Sequence, residues 1–352
     1  MNKTKMPWAQ AVLGVFLVTL LSAATVWHDR PEHTPKSIGQ AAGPQFFRAT
    51  HALDYSLERT AGLAWIEAPE RLLAANIGRD EVWKYDILAV PPKQSRMVRL
   101  ETYGDATAAI ANPGPAGLLP SAGGGLIVAE GGNRRLSLIR AGSLIAEPLA
   151  TRFGSRRLNG PNSAVFGTGC AVYFTDPPES LPGGVLDKSS GLDFSGIYRL
   201  DQASDLSLVS KELNRPIAIA YSCATRRLYV ANGDPAQSLL LAISLDASGR
   251  ASRSSVFADL TRLNGSWAGR LGPLLTDKCG NVYAAGPGGI HAFDDKGRLR
   301  SVLSTANAVT AMTWGKWDSN GQELYFASGN VLYKTSTRFE ADRGRLCPAP
   351  SN

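Results

Sequence analysis

Apolar and polar positions alternate in short runs along most of the chain, and the runs are separated by Gly, Asn, Asp and Pro. Six runs share one order, apolar, apolar or aromatic, apolar, small, then polar or Gly. They are LLAAN (72–76), LIVAE (126–130), VYFTD (172–176), LYVAN (228–232), VYAAG (282–286) and LYFAS (324–328). Successive copies start 54, 46, 56, 54 and 42 residues apart, which is the length of one four-stranded sheet with its loops. Around each copy the same order returns: an apolar run, a turn, the copy itself, a second turn, then a strand such as GIYRLD (196–201), GIHAFD (289–294) or NVLYKT (330–335). Period-two alternation with β-branched and aromatic residues predicts short antiparallel strands, and no segment between them carries a helical stripe. Isolated four-stranded sheets leave faces and edges bare, so six of them packed radially around an axis is the economical arrangement. The pattern predicts an all-β, six-bladed propeller, with the segment QFFRATHALDYSL (45–57) pairing into the last blade to close the ring. A duplicated β-sandwich accounts for two or three such repeats better than for six.

The first residues break this pattern. Lys3 and Lys5 precede an unbroken apolar run (11–21) followed by Ser22, Ala23 and Ala24, the build of a signal peptide with a small-residue cleavage site. An uncleaved anchor is the rival, because residues 8–27 are long enough to span a bilayer and carry Trp at both ends. Either way the segment delivers the rest of the chain outside the cytoplasm, secreted or periplasmic if cleaved. The domain reading is therefore 1–24 signal or anchor, 25–44 a polar Pro- and Gly-bearing linker, 45–343 the propeller and 344–352 a tail.

With 352 residues, 44% hydrophobic and 19% charged, the chain has an ordinary globular composition. Its formal net charge of +7 is spread over separate arginine pairs (Arg134/Arg135, Arg156/Arg157, Arg226/Arg227) without an aromatic-rich nucleic-acid signature. No nucleic-acid partner is expected, and a membrane is a partner only through the N-terminal segment. Cys170, Cys223, Cys279 and Cys347 show no metal-binding spacing; in an exported chain they permit two disulfides, in a pairing the sequence leaves open.

Several segments resemble the senescence-marker-protein/gluconolactonase/luciferin-regenerating-enzyme-like family, over roughly residues 55–335. They are AEGGNRRLSLI (129–139), RLNGPNSAVF (157–166), VYFTDPPESLPGG (172–184), NRPIAIAYSCATRRLYVANGDP (214–235) and GNVYAAGPGGIHAFD (280–294). The resemblance implies a six-bladed propeller and calcium-dependent lactone or ester hydrolysis. Its calcium is held by a Glu, an Asn and an Asp from three blades, and a second Asn contacts the substrate. In this sequence TAGLAW (60–65) places Ala61 where the Glu belongs, NRPIAIA (214–220) places Ile217 at the Asn, and RLGPLLTDKCGNVY (270–283) places Gly272 at the Asp. Only the substrate-side Asn has a match, Asn162. Ser163, Gly131 and Glu179 stand where the family carries Asp, His and Tyr. A hard cation needs anionic oxygen ligands, so the expectation is that the usual calcium is not held and that hydrolysis by that route lacks both its metal and its base.

Other oxygens suggest a rebuilt site. Glu130, Asp176 and Asn232 end their copies of the repeat, with Glu179 and Asp234 just beyond. Together with Asn162, the first three form a candidate substrate-binding set for a lactone or sugar-like ligand; the bland reading is that such residues cap turns. No nucleophile-elbow or phosphate-loop spacing occurs, and the histidines of the repeat region are His51 and His291, the latter on a predicted strand. Trp267, Trp314 and Trp317 are candidates for pocket lining or for packing, and Asn264 begins an N-glycosylation signal. Two function classes follow: a lactonase-like hydrolase with a remodelled site, or a non-catalytic propeller that binds a small sugar-like ligand or a protein partner.

Overall fold

The computed structural model describes residues 46–350 apart from 48–49, 58, 78–80, 87–92, 100–113, 182–190, 264–269, 320 and 343–346. The N-terminal segment and linker, Trp267 and Asn264 lie outside the described residues.

After β1 (His51–Ser56) the strands run in groups of four. Blade 1 holds β2 (Thr60–Glu67), β3 (Glu70–Asn76), β4 (Glu81–Asp86) and β5 (Lys93–Arg99). Blade 2 holds β6 (Pro115–Pro120), β7 (Leu126–Glu130), β8 (Arg135–Ile139) and β9 (Ala146–Ala150). A two-stranded hairpin, β10 (Arg152–Phe153) and β11 (Arg156–Arg157), leads into blade 3, made of β12 (Ser163–Phe166), β13 (Val172–Asp176), β14 (Gly196–Leu200) and β15 (Leu206–Ser210). Blade 4 holds β16 (Pro216–Ser222), β17 (Arg227–Asn232), β18 (Leu239–Leu245) and β19 (Ala251–Asp259). Blade 5 holds β20 (Leu274–Thr276), β21 (Val282–Gly286), β22 (Gly289–Phe293) and β23 (Leu299–Ser304). In blade 6, β24 (Val309–Asp318), β25 (Gly321–Ser328) and β26 (Val331–Thr337) take β1 as the outer strand, in the order β1-β26-β25-β24. His51 lies opposite Lys334, so the N-terminal strand closes the ring as the pattern predicts.

The first strands of the six blades neighbour one another in a closed circuit, β2, β6, β12, β16, β20, β24 and back to β2. The six copies of the sequence repeat are the second strands β3, β7, β13, β17, β21 and β25. Their period-two pattern works on both sides of the sheet, because each blade packs a neighbour on either face. The core is accordingly six clusters, one in each seam between neighbouring blades. The aromatic at the second position of four repeats, Tyr173, Tyr229, Tyr283 and Tyr325, is fully buried in a seam. Its hydroxyl stays paired: Tyr173 donates to Gly249 O, Tyr283 to Asp277 Oδ2 and Tyr325 to Glu323 Oε2. Room for the rings comes from glycine; a Cβ at Gly315 would sit 2.3 Å from the Tyr325 ring.

The tail after β26 crosses several blades at the turns that join first to second strands. Ala341 bridges Asp277, and Asp342 donates its amide to Thr276 O and accepts Cys223 N on a carboxylate oxygen. Cys347 is disulfide-bonded to Cys170 of blade 3, and its carbonyl accepts Ala122 N of blade 2. Cys223 and Cys279 are exposed free thiols. One of the two disulfides that the cysteine count permits is therefore present, between Cys170 and Cys347.

Candidate functional site

The first strands enclose an axial cavity of about 1880 Å³. Where they begin, its wall carries Ala61, Asn162, Ile217, Gly272 and Thr310, from blades 1, 3, 4, 5 and 6. The four positions singled out by the resemblance thus come together on one ring, and they present a methyl, an amide, a sec-butyl group and a bare backbone. The Asn162 Nδ2 donates to Ile217 O across the seam between blades 3 and 4, and its backbone amide donates to Thr175 O. Ser163, beside it, uses Oγ to accept Ile219 N. At Gly272 the wall has closed in: a Cβ there would meet Val309 O at 2.9 Å.

Deeper, the wall is mainly apolar, with Leu119, Ala164, Ile219, Leu275 and Met312; its polar groups include Thr276 and Thr313, whose hydroxyls donate to Tyr221 O and Trp314 O. The carboxylates that line the cavity, Glu67, Glu70, Glu340 and Asp342, stand at the far end, where first strands turn back and the tail passes. There Glu340 pairs with Lys278, and Glu70 lies 3.9 Å from Lys316. Among the described residues no group of three or more His, Cys, Asp or Glu is arranged to hold a metal ion.

Glu130, Asp176 and Asn232 are placed elsewhere. All three are buried at the ends of second strands, one strand removed from the axis, and none lines the cavity. Asp176 accepts the backbone amides of Asn159 and Gly160 at 2.8 and 2.7 Å, fixing the loop that leads into β12 and presents Asn162. Burial pushes its carboxyl up to about 7, against the pull of those two amides and of the Arg134 guanidinium. Asn232 does the same work in blade 4, accepting Arg215 N and donating to Gln237 O. Glu130 is held by Arg135 at 2.9 Å and by Asn133 Nδ2. Glu179 pairs with Arg215 at 2.7 Å. Asp234 accepts Asn214 Nδ2 and Ala236 N, which hold its carboxyl below the usual range. The capping reading describes Asp176, Asn232 and Asp234, whereas Glu130 and Glu179 are held by arginines. Gly131 faces Ser180, whose Oγ would lie 2.5 Å from a Cβ at that position.

His291 is buried on β22, its Nε2 donating to Pro287 O at 2.8 Å, and desolvation holds its pKa down. His51 is exposed on the outer strand β1. Trp314 lines the cavity while donating Nε1 to Thr276 O, and Trp317, half exposed, lines its far end. Thr310, Leu119 and Leu275 were not singled out from the sequence; the signal for them is position, since each lies on the strand that precedes a repeat.

These features define a six-bladed propeller with one axial chamber walled by first strands, and comparison places it in a family. Residues 60–330 match the model of the SMP-30/gluconolactonase/LRE-like region, and the chain belongs to that family. A gluconolactonase of Zymomonas mobilis is 28% identical over 230 residues, 64% of either chain. The chain therefore spans less than two thirds of that curated relative. Among solved structures, a gluconolactonase of Xanthomonas campestris superposes with a TM-score of 0.66 at 20% identity, covering 86% of this chain and 98% of that one. Regucalcin of Agrobacterium tumefaciens, described as a calcium-binding protein, superposes with a TM-score of 0.64 at 13% identity, covering 87% and 98%. A luciferin-regenerating enzyme gives 0.64 at 13% identity, covering 88% and 100%. At these identities the superpositions establish the shared fold.

Proposed function

We propose that the chain is an exported propeller of the gluconolactonase family whose axial chamber binds a small molecule, without the calcium-assisted lactone hydrolysis that the resemblance implies. The observation that carries this reading is the ring of Ala61, Ile217 and Gly272 around the chamber. A divalent ion there would have the neutral amide of Asn162, already turned by its nitrogen to Ile217 O, and water. That donor set does not fit calcium, which is bound by several oxygens with carboxylates among them. Without a metal to polarise a carbonyl, and with no carboxylate of the described residues lining the chamber at that end to take a proton from water, both parts of that reaction lose their agents. Export is supported by the apolar run of residues 11–21 and by the disulfide between Cys170 and Cys347, a bond that persists in oxidising compartments. Of the arginine pairs, Arg134 donates to Leu158 O, Arg135 to Glu130 and Arg157 to Asn133 O, which supports the expectation of no nucleic-acid partner.

The relative named a gluconolactonase favours a second reading, a hydrolase with remodelled machinery. Thermal unfolding with calcium and with chelator, followed by titrimetric assay of lactone hydrolysis, separates the two. The binding reading expects one melting temperature in both conditions and no turnover. A melting point that falls with chelator, together with hydrolysis, overturns it.

A further inference from the structure

The chamber wall also discriminates between classes of small molecule. A sugar-like ligand carries a hydroxyl on nearly every carbon, and each one that leaves water needs a partner. The middle of the wall offers few: Leu119, Ala164, Ile219, Leu275 and Met312 carry no hydrogen-bonding side-chain group. On the entrance ring the uncharged polar side chains are Thr60, Asn162, Ser163 and Thr310, and the Ser163 Oγ already accepts Ile219 N. The Asn162 nitrogen is committed to Ile217 O, while its Oδ1 takes no hydrogen bond from the described residues and is left as an acceptor at the chamber wall. Charge is confined to the two ends. Arg59 and Arg270 are exposed at the entrance, where water screens them, and Glu67, Glu70, Glu340 and Asp342 lie at the far end with Lys278 and Lys316.

We propose that the chamber takes an uncharged, mainly apolar ring compound that donates one hydrogen bond to Asn162 Oδ1, in preference to a polyhydroxylated sugar or sugar lactone. An aromatic or alicyclic body buries its surface against the aliphatic wall and gains from leaving water. A polyol there would forfeit hydrogen bonds to water that the wall cannot replace, the asymmetry by which binding sites separate apolar from hydroxylated ligands. This inference rests on the reading of the chamber as a metal-independent binding site.

The test is a fluorescence titration of the full chain with N-phenyl-1-naphthylamine, a neutral apolar probe with a single N–H donor, run in calcium and in chelator. Saturable binding of one probe per chain is expected in both conditions, with no displacement by glucono-1,5-lactone at a hundredfold excess. Ala61→Phe fills the entrance ring and should weaken the probe at least tenfold. Ile217→Thr, smaller by one heavy atom and keeping the backbone carbonyl that Asn162 uses, should weaken it about threefold and covers the case in which the larger side chain disturbs folding. Absence of saturable binding, indifference of the probe to both substitutions, or displacement by the sugar lactone overturns the ligand class. Displacement by the lactone in chelator would leave the metal-independent reading standing, whereas probe binding that requires calcium would bring down that reading first.

Discussion

The side-chain nitrogen of Asn162 donates to the carbonyl of Ile217, joining blade 3 to blade 4 at the chamber entrance. The contact spans a seam between sheets that have no ladder hydrogen bonds with each other, so this amide and the Ser163 Oγ, which accepts Ile219 N, hold the two first strands in register. Asn162→Ala should cost about 1 kcal/mol of stability, the usual net worth of such a bond. Asn162→Asp should cost more, because it sets a carboxylate oxygen against a carbonyl oxygen. Denaturant unfolding of the two variants beside the parent checks the order.

The Asp176 carboxyl sits near 7 in the folded chain, above its ordinary value of 3.8. Between those two values the folded state holds a proton that the unfolded state has released, so folding loses stability as the pH rises through that window. The contribution is fully present below about pH 4 and is lost by about pH 7. Asp176→Asn should flatten this part of the stability–pH curve, removing a slope that integrates to about 2–4 kcal/mol. Chemical denaturation at half-unit pH steps measures it; an unchanged slope would show that Asp176 is ionised throughout.

Arg135 neutralises Glu130 inside blade 2, with both side chains buried. Arg135→Ala leaves a carboxylate without its cation and should cost about 3–5 kcal/mol. The double change Arg135→Met with Glu130→Leu should recover most of that loss. Melting temperatures of the single and double variants decide whether the pair serves packing alone.

Reinstating the oxygen ligands that the resemblance implies should not proceed evenly around the ring. Ala61→Glu adds a side chain at a cavity-lining position and should leave the fold intact, whereas Ile217→Asn removes an aliphatic group that packs against Gly233 and the blade 4/5 core and should cost about 1 kcal/mol. Gly272→Asp forces a Cβ to within 2.9 Å of Val309 O, so it should destabilise the chain by about 1–3 kcal/mol. Calorimetric titration with calcium should show no binding for the double variant, and the triple variant should bind only where blade 6 yields at Val309.

The ring architecture was legible because the second strands are buried on both faces and their composition repeats: Tyr173, Tyr229, Tyr283 and Tyr325 occupy one position in four copies. The ring of Ala61, Asn162, Ile217 and Gly272 was found through resemblance. Glu130, Asp176 and Asn232 show where strand-end position stops being informative. A second strand stands one place out from the axis, so Asp176 and Asn232 reach the incoming loops of their own blades, and Glu130 reaches Asn133 and Arg135 at the turn into β8, before any of them reaches the cavity. The cysteine pairing was not legible either, since Cys170 and Cys347 are 177 residues apart and meet only because the tail travels back along the blade turns.

That bond divides the molecule unequally. Blades 4 and 5, the last three strands of blade 3 and strands β24 to β26 of blade 6 lie inside the covalent loop it closes, while blades 1 and 2, β12 and the closing strand β1 lie outside, joined to it by the β1 and β12 ladders, by side-chain packing and by bonds such as Leu57 N to Asn330 O and Ala122 N to Cys347 O. A cross-link restrains the denatured chain only within its loop. Under heat or force, unravelling should therefore begin in the first two sheets and halt where the cross-linked segment begins, and a thiol reductant should erase that pause.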